Sequence, residues 1–99
     1  MVKIVWTELS TADLKEIFEY IAKDSSHYAS ITVNKIYNRT QEIKDNPRLG
    51  RIVPEINMNT IRKVFLGNYR IIYKIRNNYQ LDILRVYHSA RLLRPNKLK

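Results

Sequence analysis

The spacing of apolar residues changes once along the chain, at Gly50, and this change restricts the folds that the sequence can adopt. From the first ten residues to Gly50, apolar side chains recur every three or four positions, the period of an amphipathic helix. After Gly50 they recur at every second position, which is typical of strands. Helices and strands thus occupy separate parts of the sequence, and this arrangement predicts an α+β fold.

The N-terminal half should form a short strand followed by two helices. Residues 2–6 alternate in the manner of a strand. Ser10 and Asp13 resemble a capping box, so the first helix should begin near Thr11. The second helix should end before Pro47, because proline lacks the N–H that a helix interior requires. Two amphipathic helices joined by a short link should form an antiparallel hairpin.

The C-terminal half should form three or four strands in an antiparallel meander, with the helix hairpin on one face. The clearest strands span residues 61–66, 69–76 and 79–87. Tight turns are expected at Gly67-Asn68 and Asn77-Asn78, and a short basic tail follows from residue 89. The opening strand could lie at an edge or in the centre of the sheet. Residues 1–99 are expected to form one domain.

The net charge of +9 belongs entirely to the second half of the chain. Residues 1–50 carry seven basic and seven acidic side chains, whereas residues 51–99 carry eleven basic side chains and two acidic ones. A surface selected only for solubility would mix both signs. The asymmetry therefore favours an anionic partner such as nucleic acid, an acidic protein segment or an anionic surface.

The candidate binding residues are the cations on and just beyond the predicted strands. If the face with Tyr69 and Tyr73 packs on the helices, the cations of the middle strand point to the opposite face. A solvated face is the simpler alternative, but contributions from three neighbouring strands favour one functional patch. Arg70 is the sharpest candidate, because an arginine within an apolar strand needs a partner or an anion. The proposed set is Arg62, Arg70, Lys74, Arg76, Arg85, Arg91 and Arg94.

Several classes of site are excluded by composition. The chain has no cysteine, and His27 and His88 are far apart in sequence, so a zinc site is not expected. With only two glycines there is no phosphate-binding loop, and no cofactor is predicted. No apolar segment reaches the length of a membrane helix, and the N-terminus is too polar for a signal peptide. A cytoplasmic protein without a membrane partner is therefore expected.

The chain resembles the RelE/ParE superfamily of toxins from type II toxin–antitoxin systems. The resemblance covers about residues 3–92 and depends on the order and spacing of short motifs. These are Trp6, Ala12-Asp13-Leu14, Ile17, Tyr20-Ile21, Pro47-x-x-Gly50-Arg51, Arg62, Tyr69-Arg70-Ile71-Ile72-Tyr73 and Val86-Tyr87-His88-Ser89-Ala90-Arg91. It implies two helices against an antiparallel sheet, and a hetero-oligomer with an acidic or amphipathic antitoxin segment.

The resemblance leaves two activities open. RelE-like members cut messenger RNA on the ribosome, and that branch would make Arg70, Arg62 or Lys63, and His88 the catalytic residues of a metal-independent endonuclease. ParE-like members inhibit DNA gyrase. Several of the nucleases carry a tyrosine after the position of His88, where this chain has none, so a proton acceptor for the attacking 2′-OH is not evident. A ParE-like gyrase inhibitor is therefore favoured, with the endonuclease and a non-toxic basic binding module as alternatives.

Overall fold

The computed structural model describes residues 2–88, which form two helices and five strands in the predicted α+β arrangement. In chain order the elements are β1 (Lys3–Trp6), α1 (Glu8–Ala22), α2 (Ser26–Asp45), β2 (Arg51–Ile52), β3 (Ile61–Leu66), β4 (Tyr69–Asn77) and β5 (Gln80–His88). The predicted C-terminal tail lies outside the described residues. Neither α1 nor α2 is long and apolar enough to cross a membrane.

The five strands form one mixed sheet in the order β1-β5-β4-β3-β2. β1 pairs in parallel with β5 and lies at an edge of the sheet, whereas the sequence left both an edge and a central position open. The other pairs are antiparallel, as predicted for the meander. Gly67 turns the chain between β3 and β4 at φ +56°, a conformation that costs glycine little. The next turn lies one residue later than predicted, at residues 78–79.

Helix α1 begins at Glu8, so the predicted start near Thr11 is wrong. Thr7 is the N-cap, and its side-chain oxygen accepts a hydrogen bond of 3.1 Å from the Ser10 N–H. The same hydroxyl lies 2.9 Å from the Ile83 carbonyl oxygen, to which it donates. The cap therefore fastens the start of α1 to β5, and Asp13, which the sequence suggested as part of a capping box, has a different partner.

Both faces of the sheet are packed, but unequally. The main core lies between the helices and the sheet, and it includes Ile36 of α2 together with Ile71 and Tyr73 of β4. The prediction that the tyrosine-bearing face of β4 meets the helices is thus confirmed. A second apolar cluster covers the opposite face, which we call the outer face. It comprises Val53, Ile61, Ile72, Leu84 and Tyr87, with Ile56 packed against it.

Tyr73 fixes the loop that leads from α2 into β2. Its hydroxyl donates to the Pro47 carbonyl oxygen at 2.6 Å and accepts from the Gly50 N–H at 2.9 Å. A Cβ atom on Gly50 would lie 2.6 Å from the Lys63 carbonyl oxygen and 2.7 Å from the Tyr73 hydroxyl, so only glycine fits. This close approach holds β2 beside β3.

Candidate partner-binding surface

The predicted cationic residues do not share one face of the sheet. Arg62 pairs across the strands with Tyr73, and cross-strand partners project to the same side, so Arg62 lies on the helix-facing side. Its guanidinium donates to the Gly50 carbonyl oxygen at 2.9 Å and to the side-chain oxygen of Asn59 at 2.6 Å. Arg62 therefore holds together the segments on either side of β2.

Arg70 projects from the outer face, as predicted, but it is buried. Its cross-strand partners are Phe65 on β3 and Tyr87 on β5, so the guanidinium stem lies in a row between two aromatic residues. Only 9% of Arg70 is exposed. A guanidinium in this position is largely shielded from water, so a bulky anion in solution has little access to it.

Lys74 and Arg76 share their neighbourhood with a carboxylate. Lys74 is the cross-strand partner of Asp82, and Arg76 forms an ion pair with the same carboxylate. Burial alone would raise the pKa of Asp82, but hydrogen bonds from Gln80 and Arg76 and the charge of Arg76 together hold that pKa below its ordinary value of 3.8. Asp82 thus remains charged at neutral pH and offsets part of the positive charge on this end of the outer face.

Arg85 is engaged by helix α1. Its Nε and Nη2 atoms donate to the two carboxylate oxygens of Asp13, each at 2.8 Å, and the guanidinium carbon lies 4.7 Å from the centre of the Tyr87 ring. The hydrogen bond with Asp13 raises the pKa of Arg85 above its ordinary value. The prediction that Arg85 joins the other cations in one exposed patch is therefore wrong.

His88 lies on the helix-facing side, away from Arg70. It pairs with Tyr69 across the strands, and the two rings meet edge to face with centroids 5.8 Å apart. The groove beside His88 is lined by Glu16 and Glu19 of α1, by Lys23 just after that helix, and by Asp13, whose carboxylate is paired with Arg85. Apart from the paired Asp13, the charged groups of α1 and its end here are two carboxylates and one lysine, which do not favour the phosphate groups of a nucleic acid.

The four residues suggested for nuclease catalysis are consequently divided between the two faces of the sheet. Lys63 and Arg70 project from the outer face, and Arg62 and His88 from the helix-facing side. Groups that act on one scissile phosphate must lie within hydrogen-bond reach of the same substrate. Within residues 2–88, these four side chains are therefore not brought together around one phosphate. Arg91 and Arg94, which were included in the binding set, lie outside the described residues.

A surface that the sequence reasoning missed lies along the exposed edge of β3, and we call it the β3-edge groove. It has a volume of about 550 Å³ and is open to solvent. Its charged and apolar lining includes Arg39, Arg51, Lys63, Leu49, Ile52 and Phe65. Arg39 was overlooked because it belongs to α2, in the half of the chain without excess charge. Phe65 carried a usable signal, since it is the middle one of three consecutive apolar residues, at a position where the alternation of β3 calls for a polar side chain.

Within residues 2–88, no group of three or more histidine, aspartate or glutamate side chains could hold a metal ion. The charged and aromatic groups described above offer recognition of a partner through ion pairs, main-chain hydrogen bonds and apolar contact. Such chemistry is that of a binding surface.

Comparison with known proteins identifies the relatives of this chain. The model of a family described as "ParE toxin of type II toxin-antitoxin system, parDE" matches residues 4–93. A comparison with curated protein sequences found no match.

Two solved structures share the fold. A chain of the chromosomal ParDE TA system from P. aeruginosa superposes with a TM-score of 0.73 at 20% identity, over 89% of this chain and 96% of that one. A chain of the toxin-antitoxin complex RelBE2 from Mycobacterium tuberculosis superposes with a TM-score of 0.62 at 21% identity, over 92% of this chain and 97% of that one. At these identities the likeness supports the fold alone.

Proposed function

Because the chain belongs to the ParE toxin family of type II toxin–antitoxin systems, we propose that it stops growth by binding DNA gyrase and that a cognate antitoxin neutralises it. The observation that carries the proposal is the extent of the family match, which runs from residue 4 to residue 93. A match of this length includes both helices and, apart from Lys3, all five strands, and not merely a shared strand motif.

The geometry of the described residues supports a toxin that acts by binding. Arg62 and Arg85 are occupied by the loop beside β2 and by Asp13, and Arg70 is buried. His88 lies on the other side of the sheet from Arg70, in a groove whose charged lining includes Glu16, Glu19 and Lys23. A ribosome-dependent nuclease needs a phosphate clamp and a proton-transfer group around one bond. A toxin that acts by binding needs no such assembly.

The net charge of +9 fits the proposed target. Gyrase works on DNA, and the field of a strongly basic protein accelerates its encounter with complexes that contain a polyanion. The same charge fits an antitoxin with an acidic segment, because opposite charges steer association and suppress incorrect partners. Both electrostatic attractions should weaken with increasing salt concentration, since screening shortens the range over which charges act.

The proposal is tested by inducing the toxin gene in cells, with and without the protein encoded by the adjoining reading frame. We expect growth arrest with DNA breaks that require gyrase, intact transcripts on primer extension of total RNA, and recovery of growth when the adjoining gene is expressed. Discrete breaks in translated messenger RNA, without gyrase-dependent DNA damage, would support the RelE-like alternative. Unaffected growth would support a non-toxic binding module.

A further inference from the structure

A groove lies beside helix α1 where strand β5 ends, and we call it the α1–β5 groove. It has a volume of about 690 Å³, which is typical of clefts that hold a ligand or a chain segment. Its lining includes Glu16, Ile17, Glu19 and Tyr20 of α1, Tyr69 of β4 and Val86 of β5. His88, the last residue of β5, also lines it, so the chain that follows begins at this surface.

The last residues of β5 run alongside α1 in the same direction. Thr7, the N-cap of α1, donates to the Ile83 carbonyl oxygen, and Asp13, six residues further along, accepts from the Val86 N–H. Six helical residues and three strand residues each advance the chain by about 9–10 Å, so the two elements keep pace. The groove continues along α1 to Lys23, about 15 Å beyond Asp13 at 1.5 Å per residue. A chain that leaves β5 without turning therefore follows the groove.

Apolar surface in the α1–β5 groove remains open to solvent. Tyr20 is 72% exposed, although its ring belongs to the lining. Ile17 and Tyr69 are half-buried, since they pack against the main core from its border. Contiguous exposed apolar surface on a soluble protein usually marks a contact with another segment or another molecule. An occupant with apolar side chains would bury these three residues together.

The charges of the groove favour a cationic occupant. Glu16 and Glu19 are both exposed, whereas Asp13 is already engaged by β5. Lys23 opposes them at the end of the groove furthest from Asp13. Two carboxylates against one lysine leave a local excess of negative charge, in contrast to the net charge of +9 of the whole chain. Positive groups are therefore drawn to this surface and not to the rest of the molecule.

The segment that follows His88 has the composition that the groove favours. Leu92 and Leu93 supply apolar side chains. Residues 89–99 contain no acidic side chain and four cations, which are Arg91, Arg94, Lys97 and Lys99. Five residues span about 8 Å as a helix and about 17 Å as an extended chain, so residues 89–93 match the length of the groove in either conformation. A segment joined to the chain at His88 is present there at an effective concentration on the order of millimolar.

We propose that residues 89–94 dock in the α1–β5 groove of the same chain, with their two leucines on the apolar lining around Tyr20 and their two arginines beside Glu16 and Glu19. Docking brings Arg91 and Arg94 against carboxylates, so an anionic partner reaches them only when the segment leaves the groove. The segment also covers the side of β5 that has no neighbouring strand beyond Ile83. This contact is independent of the target that the toxin binds.

The first test places a spin label on the segment in the full chain. Because the chain contains no cysteine, Asn96→Cys provides a single attachment site. We expect the label to broaden the NMR signals of the Tyr20 and Lys23 amides at the end of α1. The Lys44 amide should be unaffected, since α2 separates it from the end of α1 by about 30 Å at 1.5 Å per residue. Equal broadening at the two places, or none at either, would overturn the inference.

Charge reversal in the groove separates docking from mere proximity of the label. Glu16→Lys combined with Glu19→Lys should lower the ratio of docked to undocked segment by about tenfold, since two exposed ion pairs are replaced by two repulsions. The broadening at Tyr20 reports this ratio. Asp45→Lys combined with Glu55→Lys reverses two exposed carboxylates outside the groove and should change the ratio by less than about twofold. Equal effects of the two double variants would overturn the inference.

Exchange of the charges between the two sides provides a second variant. Arg91→Glu with Arg94→Glu should release the segment, and addition of Glu16→Lys with Glu19→Lys should restore the broadening. Failure to restore it in the folded protein would overturn the pairing of arginines with these carboxylates. A mixture of spin-labelled and isotope-enriched chains shows whether the segment docks on a second copy, and broadening between different molecules would overturn docking within one chain. These measurements use neither gyrase nor antitoxin, so a negative result leaves the proposed function intact.

Discussion

Asp13 of α1 and Arg85 of β5 form a two-pronged ion pair, with both hydrogen bonds at 2.8 Å. Asp13 also accepts a hydrogen bond of 2.9 Å from the Val86 N–H. Strand β1 pairs with β5 only as far as Ile83. Beyond that residue β5 has no neighbouring strand on this side, and the Asp13 carboxylate supplies the acceptor for the Val86 N–H. One carboxylate thus fastens the helix hairpin to the sheet and removes Arg85 from the candidate binding surface.

Asp13→Ala should lower the free energy of unfolding by about 3–5 kcal/mol, because it leaves a buried guanidinium and a main-chain N–H without their acceptor. The exposed fractions of the two side chains, 6% for Asp13 and 13% for Arg85, justify treating the pair as buried. Urea unfolding measures the change. Asp24→Ala, which removes an exposed carboxylate from the turn between the helices, should cost less than about 0.5 kcal/mol. Similar losses from the two substitutions would contradict the role given to Asp13.

Tyr73→Phe should lower the free energy of unfolding by about 1–3 kcal/mol, because it leaves the buried Gly50 N–H without its acceptor and the Pro47 carbonyl oxygen without its donor. Tyr79→Phe provides the control, since Tyr79 is 69% exposed. Thermal or urea unfolding of the two variants gives the comparison. A Tyr73→Phe variant as stable as the wild type would show that the hydroxyl does not anchor the loop before β2.

The protein should lose stability in alkaline solution partly through Tyr73. Burial raises the pKa of Tyr73 above its ordinary value of 10.0, despite a smaller opposing effect of the Gly50 hydrogen bond. The stabilisation is complete below the unfolded pKa and is lost as pH rises from there through the folded pKa, because the unfolded chain ionises first. Unfolding free energies measured from about pH 9 to about pH 11 should fall less steeply for Tyr73→Phe than for wild type. Parallel curves would refute this.

His88→Gln separates the two toxin mechanisms. In the proposed gyrase inhibitor, His88 transfers no proton, so growth arrest on induction should be unchanged within about twofold. In a nuclease that relied on this histidine, the variant would lose about 100-fold or more in cleavage. His88 is exposed at the end of β5, so the substitution should leave the fold intact. Loss of toxicity in a folded variant would count against the binding mechanism.

The sequence predicted the elements better than their contacts, for a physical reason. The period of apolar residues reports locally which face of an element is buried, and it correctly predicted β3 and the helix-facing side of β4. The start of α1 was missed because Thr7 and Ser10 both favour the N-cap position, and the contact with Ile83 that accompanies the cap at Thr7 is distant in sequence. Asp13 was assigned to a cap for the same reason, since its partners lie on β5.

The distribution of cations over the two faces could not be predicted from one strand alone. The alternation of side chains along β4 gave the correct face for Arg70. The face of Arg62 depends on the register between β3 and β4, which pairs Arg62 with Tyr73. Irregular pairing between β4 and β5 changes the alternation near Ile72, and the side chain of Arg85 reaches around the sheet edge to α1. The functional roles suggested for Lys74 and Arg76 remain predictions.

Inhibition of gyrase by this protein can be measured in a supercoiling assay with purified gyrase, relaxed plasmid DNA and purified toxin. We expect the toxin to suppress supercoiling, and prior addition of the protein from the adjoining reading frame to restore it. A parallel reaction with programmed ribosomes should leave the messenger RNA intact. Undiminished supercoiling together with cleavage of the ribosome-bound messenger RNA would rule out gyrase as the target and identify the chain as a nuclease.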